Sequence, residues 1–198
     1  MRGRLSVVAL GLAAAILLSG CSSNDKLAAD YGSGGGTDYT NDSGLPVLVK
    51  PADRQKQLDF SSKTIDGMPF SLKGYRGQVV VVNFWYASCA PCRAEAPILE
   101  GLYEKYQDKG VTFVGVNISD QADAALSFEK TYGVTYPSVL DVDSGAARIA
   151  FSGAVAASAV PTTFVLDAKG RIAARIVGEL ESASILNTLI SDTAAEAK

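Results

Sequence analysis

A junction between Val79 and Cys92 constrains the fold of this chain more than any other feature. Val79–Trp85 (VVVVNFW) is apolar at every position except Asn83, and it runs directly into Tyr86–Cys92 (YASCAPC). A short, continuously apolar run reads as a strand buried on both faces. From Ala90 onward the period changes, with Ala94, Ile98, Leu102 and Tyr106 recurring at helical spacing to about Gln107. A buried strand that passes straight into a helix commits the chain to a layered α/β structure. At the switch sit two of the chain's three cysteines, Cys89 and Cys92. They read as a structural clip, as half of a metal site, or as a redox couple.

The third cysteine bears on that choice. Met1–Cys21 begins with Arg2 and Arg4 and continues through the apolar stretch Leu5–Leu18, about 14 residues, short of the roughly 20 needed to span a bilayer. It ends in Leu18-Ser19-Gly20-Cys21, which resembles the lipobox of bacterial lipoproteins. That resemblance implies a leader over residues 1–20, lipidation of Cys21, and attachment to the outer face of the cell membrane. An ordinary secretory leader is the alternative, and it too places the domain outside the cytoplasm. Residues 21–54, which include SGGGTDYTNDSG, are mostly small and polar, so a flexible tether with about 30 Å of typical reach is expected, and the folded domain is expected over residues 55–198.

With Cys21 lipidated, Cys89 and Cys92 have only each other. A structural zinc site usually takes four ligands, normally from two such pairs. A disulfide closing so small a loop restrains the unfolded chain weakly. The redox couple is the reading left. The chain has 198 residues, no histidine and a formal net charge of −3. The lack of histidine excludes Ser-His-Asp and Cys-His catalysis and imidazole ligation of metals. No cofactor is called for. A weakly acidic chain without a basic cluster points away from nucleic acid as a partner.

The rest of the domain fits the same class. Gln57–Leu72 carries a hairpin signal at Asp66-Gly67, and Lys73–Gln78 reads as a polar turn. Val111–Val116, Pro137–Val142, Val160–Leu166 and Arg171–Val177 read as strands. Gln121–Tyr132, Ser144–Phe151 and Ser182–Ala195 read as helices, and Pro97 is expected to kink the helix that follows the cysteines.

Asn83–Leu99 (NFWYASCAPCRAEAPIL) and Val160–Ile172 (VPTTFVLDAKGRI) together resemble the thioredoxin fold, in its extracytoplasmic TlpA/ResA-like branch of thiol-disulfide oxidoreductases. The strand and helix inserted between Gly115 and Ser152, and the lipobox, are similar to that branch too. The resemblance implies a three-layer sandwich around a central mixed sheet, with an amino-terminal hairpin extension. It implies that Cys89 is the attacking nucleophile, that Cys92 resolves the mixed disulfide, and that Pro161 is a cis-proline facing them. Extended substrate is then expected against Val160, Ala90 and Pro91, with Trp85 and Tyr86 walling the site and core packing the alternative for Trp85. A helix amino terminus at Cys89 stabilises a thiolate. Glu95, one turn beyond Cys92, matches a glutamate of the branch and is expected to move protons and tune the cysteines, because Asn83 stands where minimal thioredoxins keep an ionisable aspartate. Arg93 reads as an exposed helix residue.

Ala90-Pro91 between the cysteines offers no cation to stabilise a thiolate, and Glu95 opposes one, which argues for a reductase. Relatives of the branch reduce apocytochrome c thiols and are recharged by a membrane electron donor, so protein substrates with cysteines and such a donor are the implied partners. A disulfide-forming oxidase is the alternative. A peroxiredoxin-type peroxidase needs a lone peroxidatic cysteine, and a copper chaperone a more open spacing and normally a histidine.

Overall fold

The computed structural model describes residues 45–154, 156 and 159–196. The leader, Cys21 and the expected tether up to residue 44 lie outside them. Among the described residues the strands are β1 (Val47–Leu48), β2 (Ser61–Thr64), β3 (Pro69–Ser71), β4 (Val79–Trp85), β5 (Val111–Asn117), β6 (Ser138–Leu140), β7 (Thr162–Leu166) and β8 (Ile172–Val177). The helices are α1 (Ala90–Tyr106), α2 (Ala122–Tyr132), α3 (Ala146–Phe151) and α4 (Ala183–Ala195). None is long and apolar enough to cross a membrane.

The strands form one mixed sheet in the order β1-β8-β7-β4-β5-β6-β2-β3. β4 is central, parallel to β5 and antiparallel to β7, and all of its residues are buried. Its alternation divides the core. Val79 and Val81 pack in a cluster with Leu99 and Leu102 of α1 and Leu186, Leu189 and Ile190 of α4. Val80, Val82 and Phe84 face the other way, against Phe164 and against Ala147 and Phe151 of α3. Each such side chain contributes roughly 1.5–3 kcal/mol when buried. Period-2 geometry therefore turns one apolar run into the floor of two layers. The expected three-layer α/β sandwich is present, with α2, β6 and α3 inserted between β5 and β7 and the β2–β3 hairpin extending the sheet beyond β6. The hairpin turns at Gly67, whose φ of 85° favours glycine.

α1 starts cleanly for local reasons. Pro91 occupies the first turn, where its missing N–H costs nothing, and Cys89 is the N-cap. The helix runs through Pro97 to Tyr106. Within the sheet β5 packs tightly against its neighbours: a side chain at Gly115 would put its Cβ 2.8 Å from Trp85 Nε1 of β4 and into Ser138 Oγ of β6.

One boundary differs from expectation. Residues well before 55 pair into the sheet: Val47 and Leu48 pair with Arg175 and Ala174 of β8, and Val49 N–H donates to the Ala173 carbonyl at 2.8 Å. Arg54, also placed in the tether by composition, donates to Asp167 Oδ2 at 3.1 Å and to Glu196 Oε1 at 2.8 Å. Leu48 stays 63% exposed, so it is backbone pairing that holds this strand, covering the otherwise open edge of β8. Reading the segment for side-chain burial alone hides that.

Candidate active site

The carboxyl end of β4 and the amino end of α1 bring Cys89 and Cys92 together as a disulfide, with sulfurs 2.03 Å apart. Cys92 N–H donates to Cys89 Sγ at 3.2 Å, so the N-cap sulfur is aimed along the helix axis at the positive end of its dipole. The pair packs with Ile65, Trp85, Ala96, Ala125 and Phe128, and Tyr86, Ala87 and Val160 lie at the margin.

Exposure at the site is low, and the expectation for Trp85 needs correcting. Cys89 is only 4% exposed and Cys92 2%, so the nucleophile candidate presents a narrow face rather than an open sulfur. The disulfide is seated in an apolar cluster that shields both atoms. Trp85 is 3% exposed, with its ring centroid 4.3 Å from that of Phe128. It is a core side chain under the site and presents no surface to partners. Tyr86, Pro91 and Val160 are half-buried and Ala90 is exposed, which leaves them as the accessible rim. The Val160–Pro161 bond is cis, and Pro161 is buried just before β7, which pairs with β4, the strand that leads into the cysteines.

Glu95 is the least ordinary group here. It is 0% exposed, on the face of α1 turned toward β4. Asn83 Nδ2 donates to its Oε1 at 2.7 Å, and Leu180 N–H donates to its Oε2 at 2.9 Å. Asn83 Nδ2 also reaches Thr163 Oγ1 at 3.1 Å. Burial pushes the Glu95 carboxyl up to about 7; the bonds from Leu180 and Asn83 pull it down, and nearby Glu179 adds a little upward. The carboxyl can therefore hold or release a proton near neutrality one helical turn from Cys92. Asn83 has a role that its inability to ionise concealed: with Leu180 N–H it is one of two donors that fix Glu95.

A second set centres on Asp120, which sequence reasoning missed. Asp120 Oδ2 accepts from Ala87 N–H at 2.5 Å and from Asn117 Nδ2 at 2.8 Å, and Arg93 Nε donates to the Ala87 carbonyl at 2.9 Å. Asn117 Oδ1 in turn accepts from the backbone of Ser119 and Asp120 at 3.1 and 2.8 Å. The Asn-x-x-Asp spacing after β5 was the available signal, an Asx-type turn. Among the described residues no cluster of acidic or thiol side chains suits a metal ion.

The comparisons with known proteins agree with this geometry. The Redoxin family matches residues 51–190. The thiol-disulfide oxidoreductase ResA of Bacillus subtilis is 31% identical over 127 residues, which are 64% of this chain and 68% of that protein. A secreted thiol-disulfide isomerase from Corynebacterium glutamicum superposes with a TM-score of 0.69 at 32% identity, covering 78% of this chain and 95% of that one. A DsbF homologue from Corynebacterium diphtheriae gives 0.67 at 31% identity, over 77% and 96%. A paired CxxC at a strand-to-helix junction, on a sheet shared with those structures and under a matching family profile, leaves one conclusion: the chain belongs to the Redoxin family and is a thioredoxin-fold thiol-disulfide oxidoreductase of the ResA type.

Proposed function

We propose that this oxidoreductase is an extracytoplasmic reductase of protein disulfides, held to the membrane's outer face through Cys21, with residues 1–20 as its leader. Cys89 thiolate attacks one sulfur of a substrate disulfide, and the other substrate sulfur leaves as a thiolate and is protonated. Cys92 then gives its proton to Glu95 and attacks Cys89 Sγ. The substrate leaves with both thiols reduced, and the Cys89–Cys92 disulfide reforms. Two electrons have passed to the substrate. A membrane dithiol donor restores the pair by the same exchange in reverse. Substrate chain lies along the rim of Tyr86, Ala90, Pro91 and Val160, beside Pro161. Apocytochrome c, with its two haem-binding cysteines oxidised, is the client proposed from the ResA likeness.

The observation that carries the direction of electron flow is the buried Glu95 carboxyl beneath the pair, with only Ala90 and Pro91 between the cysteines. An anion there disfavours a thiolate, and an unstabilised thiolate makes the dithiol the better electron donor. Equilibrated with glutathione, the domain is expected to settle nearer about −270 mV, as thioredoxin does, than about −120 mV, as DsbA does. A value near the latter overturns the reductase reading in favour of a disulfide-forming oxidase.

The anchor has its own test. In cells fed labelled palmitate, the protein is expected to take up label and sediment with membranes, and Cys21→Ala is expected to do neither. Equal sedimentation of both forms removes the anchor from the proposal and leaves the exchange chemistry standing.

A further inference from the structure

We propose that Asp120 and Arg93 are positioning residues that clamp Ala87 from opposite sides and so hold Cys89 Sγ on the amino end of α1. The inference rests on Cys89 being the nucleophile. The segment Tyr86–Ser88 joins β4 to the helix and ends at the reactive residue. Its hold on the fold is concentrated at Ala87: the N–H goes to the Asp120 carboxylate at 2.5 Å and the carbonyl takes Arg93 Nε at 2.9 Å. Both are charge-assisted bonds, roughly twice as strong as neutral ones. Asp120 is itself fixed by Asn117, which is fully buried at the end of β5 and donates to the same Oδ2 at 2.8 Å. A third bond, Ile118 N–H to the Trp85 carbonyl at 3.1 Å, ties the two loops at their roots. Parallel pairing of Trp85 with Asn117 sets the loops side by side.

Holding Ala87 matters because Cys89 sits only two residues on. Its place as N-cap gives the sulfur the Cys92 N–H and the helix dipole, and both favour the thiolate. A loosened segment lets the sulfur drift from that position, and its titration then rises toward the free-cysteine value of about 8.5. The elements around the pair also carry Glu95 on α1, Glu129 and Tyr132 on α2, Asp66 on the β2–β3 turn, and Tyr86; none of these changes in the variants below.

Clamp and bare charge predict different signs. By charge alone, Asp120→Ala removes an anion and lowers the Cys89 midpoint, while Arg93→Ala removes a cation and raises it. Under the clamp both alanine variants raise it. The conservative Asp120→Asn keeps an acceptor for Ala87 N–H and stays at or below the parent value. The experiment is iodoacetamide alkylation of the reduced protein across pH, with the labelled cysteine mapped by mass spectrometry. Asp120→Ala is expected to sit about 0.5–1 pH unit above Asp120→Asn, within the room left below free cysteine. Amide exchange at Ala87, read by NMR on the folded oxidised protein, is expected to quicken at least tenfold in Asp120→Ala and to stay slow in Asp120→Asn. Equal midpoints and equal exchange in the two Asp120 variants, with label still on Cys89, overturn the clamp and leave the exchange reading intact. Label landing first on Cys92 overturns the choice of nucleophile and the clamp together, and the mapped residue tells the two failures apart.

Discussion

Replacing Cys89 with serine is expected to reduce disulfide exchange by at least about a thousandfold, a loss within the range seen when a covalent nucleophile is deleted. The companion variant, Cys92→Ala, is expected to behave differently. It still attacks and then stalls, because nothing remains to resolve the mixed disulfide. Expressed in cells, it should accumulate covalent adducts that dithiothreitol releases, and the captured proteins name the client. The reason lies in the ordering of the pair: Cys89 caps α1 and receives the Cys92 N–H, whereas Cys92 is one turn inside the helix and 2% exposed. The former stands at the helix end at 4% exposure, and the latter lies inside the helix. Stability does not confuse the test. A disulfide closing a loop this short contributes about 2 kcal/mol in the loop-entropy picture, against a core of two large apolar clusters. Both variants should therefore fold, and circular dichroism and thermal melts will show whether they do. Adducts on Cys89→Ser with none on Cys92→Ala would reverse the roles of the two sulfurs.

What was legible in the sequence follows from which forces act locally. The β4-to-α1 junction was readable to the residue because a change of hydrophobic period and a proline in the first helical turn are both short-range signals. β1 was hidden because its gain is backbone pairing to β8, and a composition that looks like a tether says nothing about an open sheet edge far along the chain. Trp85 was misplaced because a tryptophan beside a reactive motif suits a wall or a core equally until its partner, Phe128 on α2, is known. Asp120 was missed, and the bond from the exposed helix residue Arg93 to Ala87 went unread, for a related reason. The contact between the loop after β4 and the loop after β5 is created by the parallel register Trp85–Asn117, which no local pattern encodes. Glu95 falls between these cases. Its spacing from Cys92 put it on the right face, but the donors that hold it come from β4 and from the segment before α4, Leu180 lying 85 positions away.

Glu95→Gln should have the second largest effect, on two observables whose signs are fixed by one cause. Burial raises the carboxyl from an ordinary value of 4.5 to about 7. The unfolded chain ionises the group near the ordinary value while the folded chain still holds its proton, so the folded state binds more protons between these limits. Stability is then greatest below pH 4.5 and falls as pH rises through about 7. The shift corresponds to a loss on the order of 3 kcal/mol across that window, at about 1.4 kcal/mol per unit. Denaturant titrations at pH 5 and pH 8 should show the loss in the parent protein and a clearly smaller one in Glu95→Gln, where the Glu129 carboxyl, also raised by burial, still contributes. Equal slopes in both would mean that some other group carries the dependence. The kinetic consequence comes from the same proton. As Cys92 attacks, its hydrogen needs an acceptor that is half-ionised near neutrality, and removing such a base costs typically 10²–10⁴-fold. The resolving step in Glu95→Gln should slow by at least about a hundredfold at pH 7 and lose its inflection there, recovering only as pH climbs toward thiol titration near about 8.5. Glutamine keeps the shape and can still accept from Asn83, but its amide nitrogen meets the Leu180 N–H donor to donor. A structural defect alone would lower the rate equally at every pH. A loss that closes on the alkaline side is the mark of a missing proton acceptor, and a rate that stays parallel to the parent's from pH 6 to pH 9 would remove Glu95 from the chemistry.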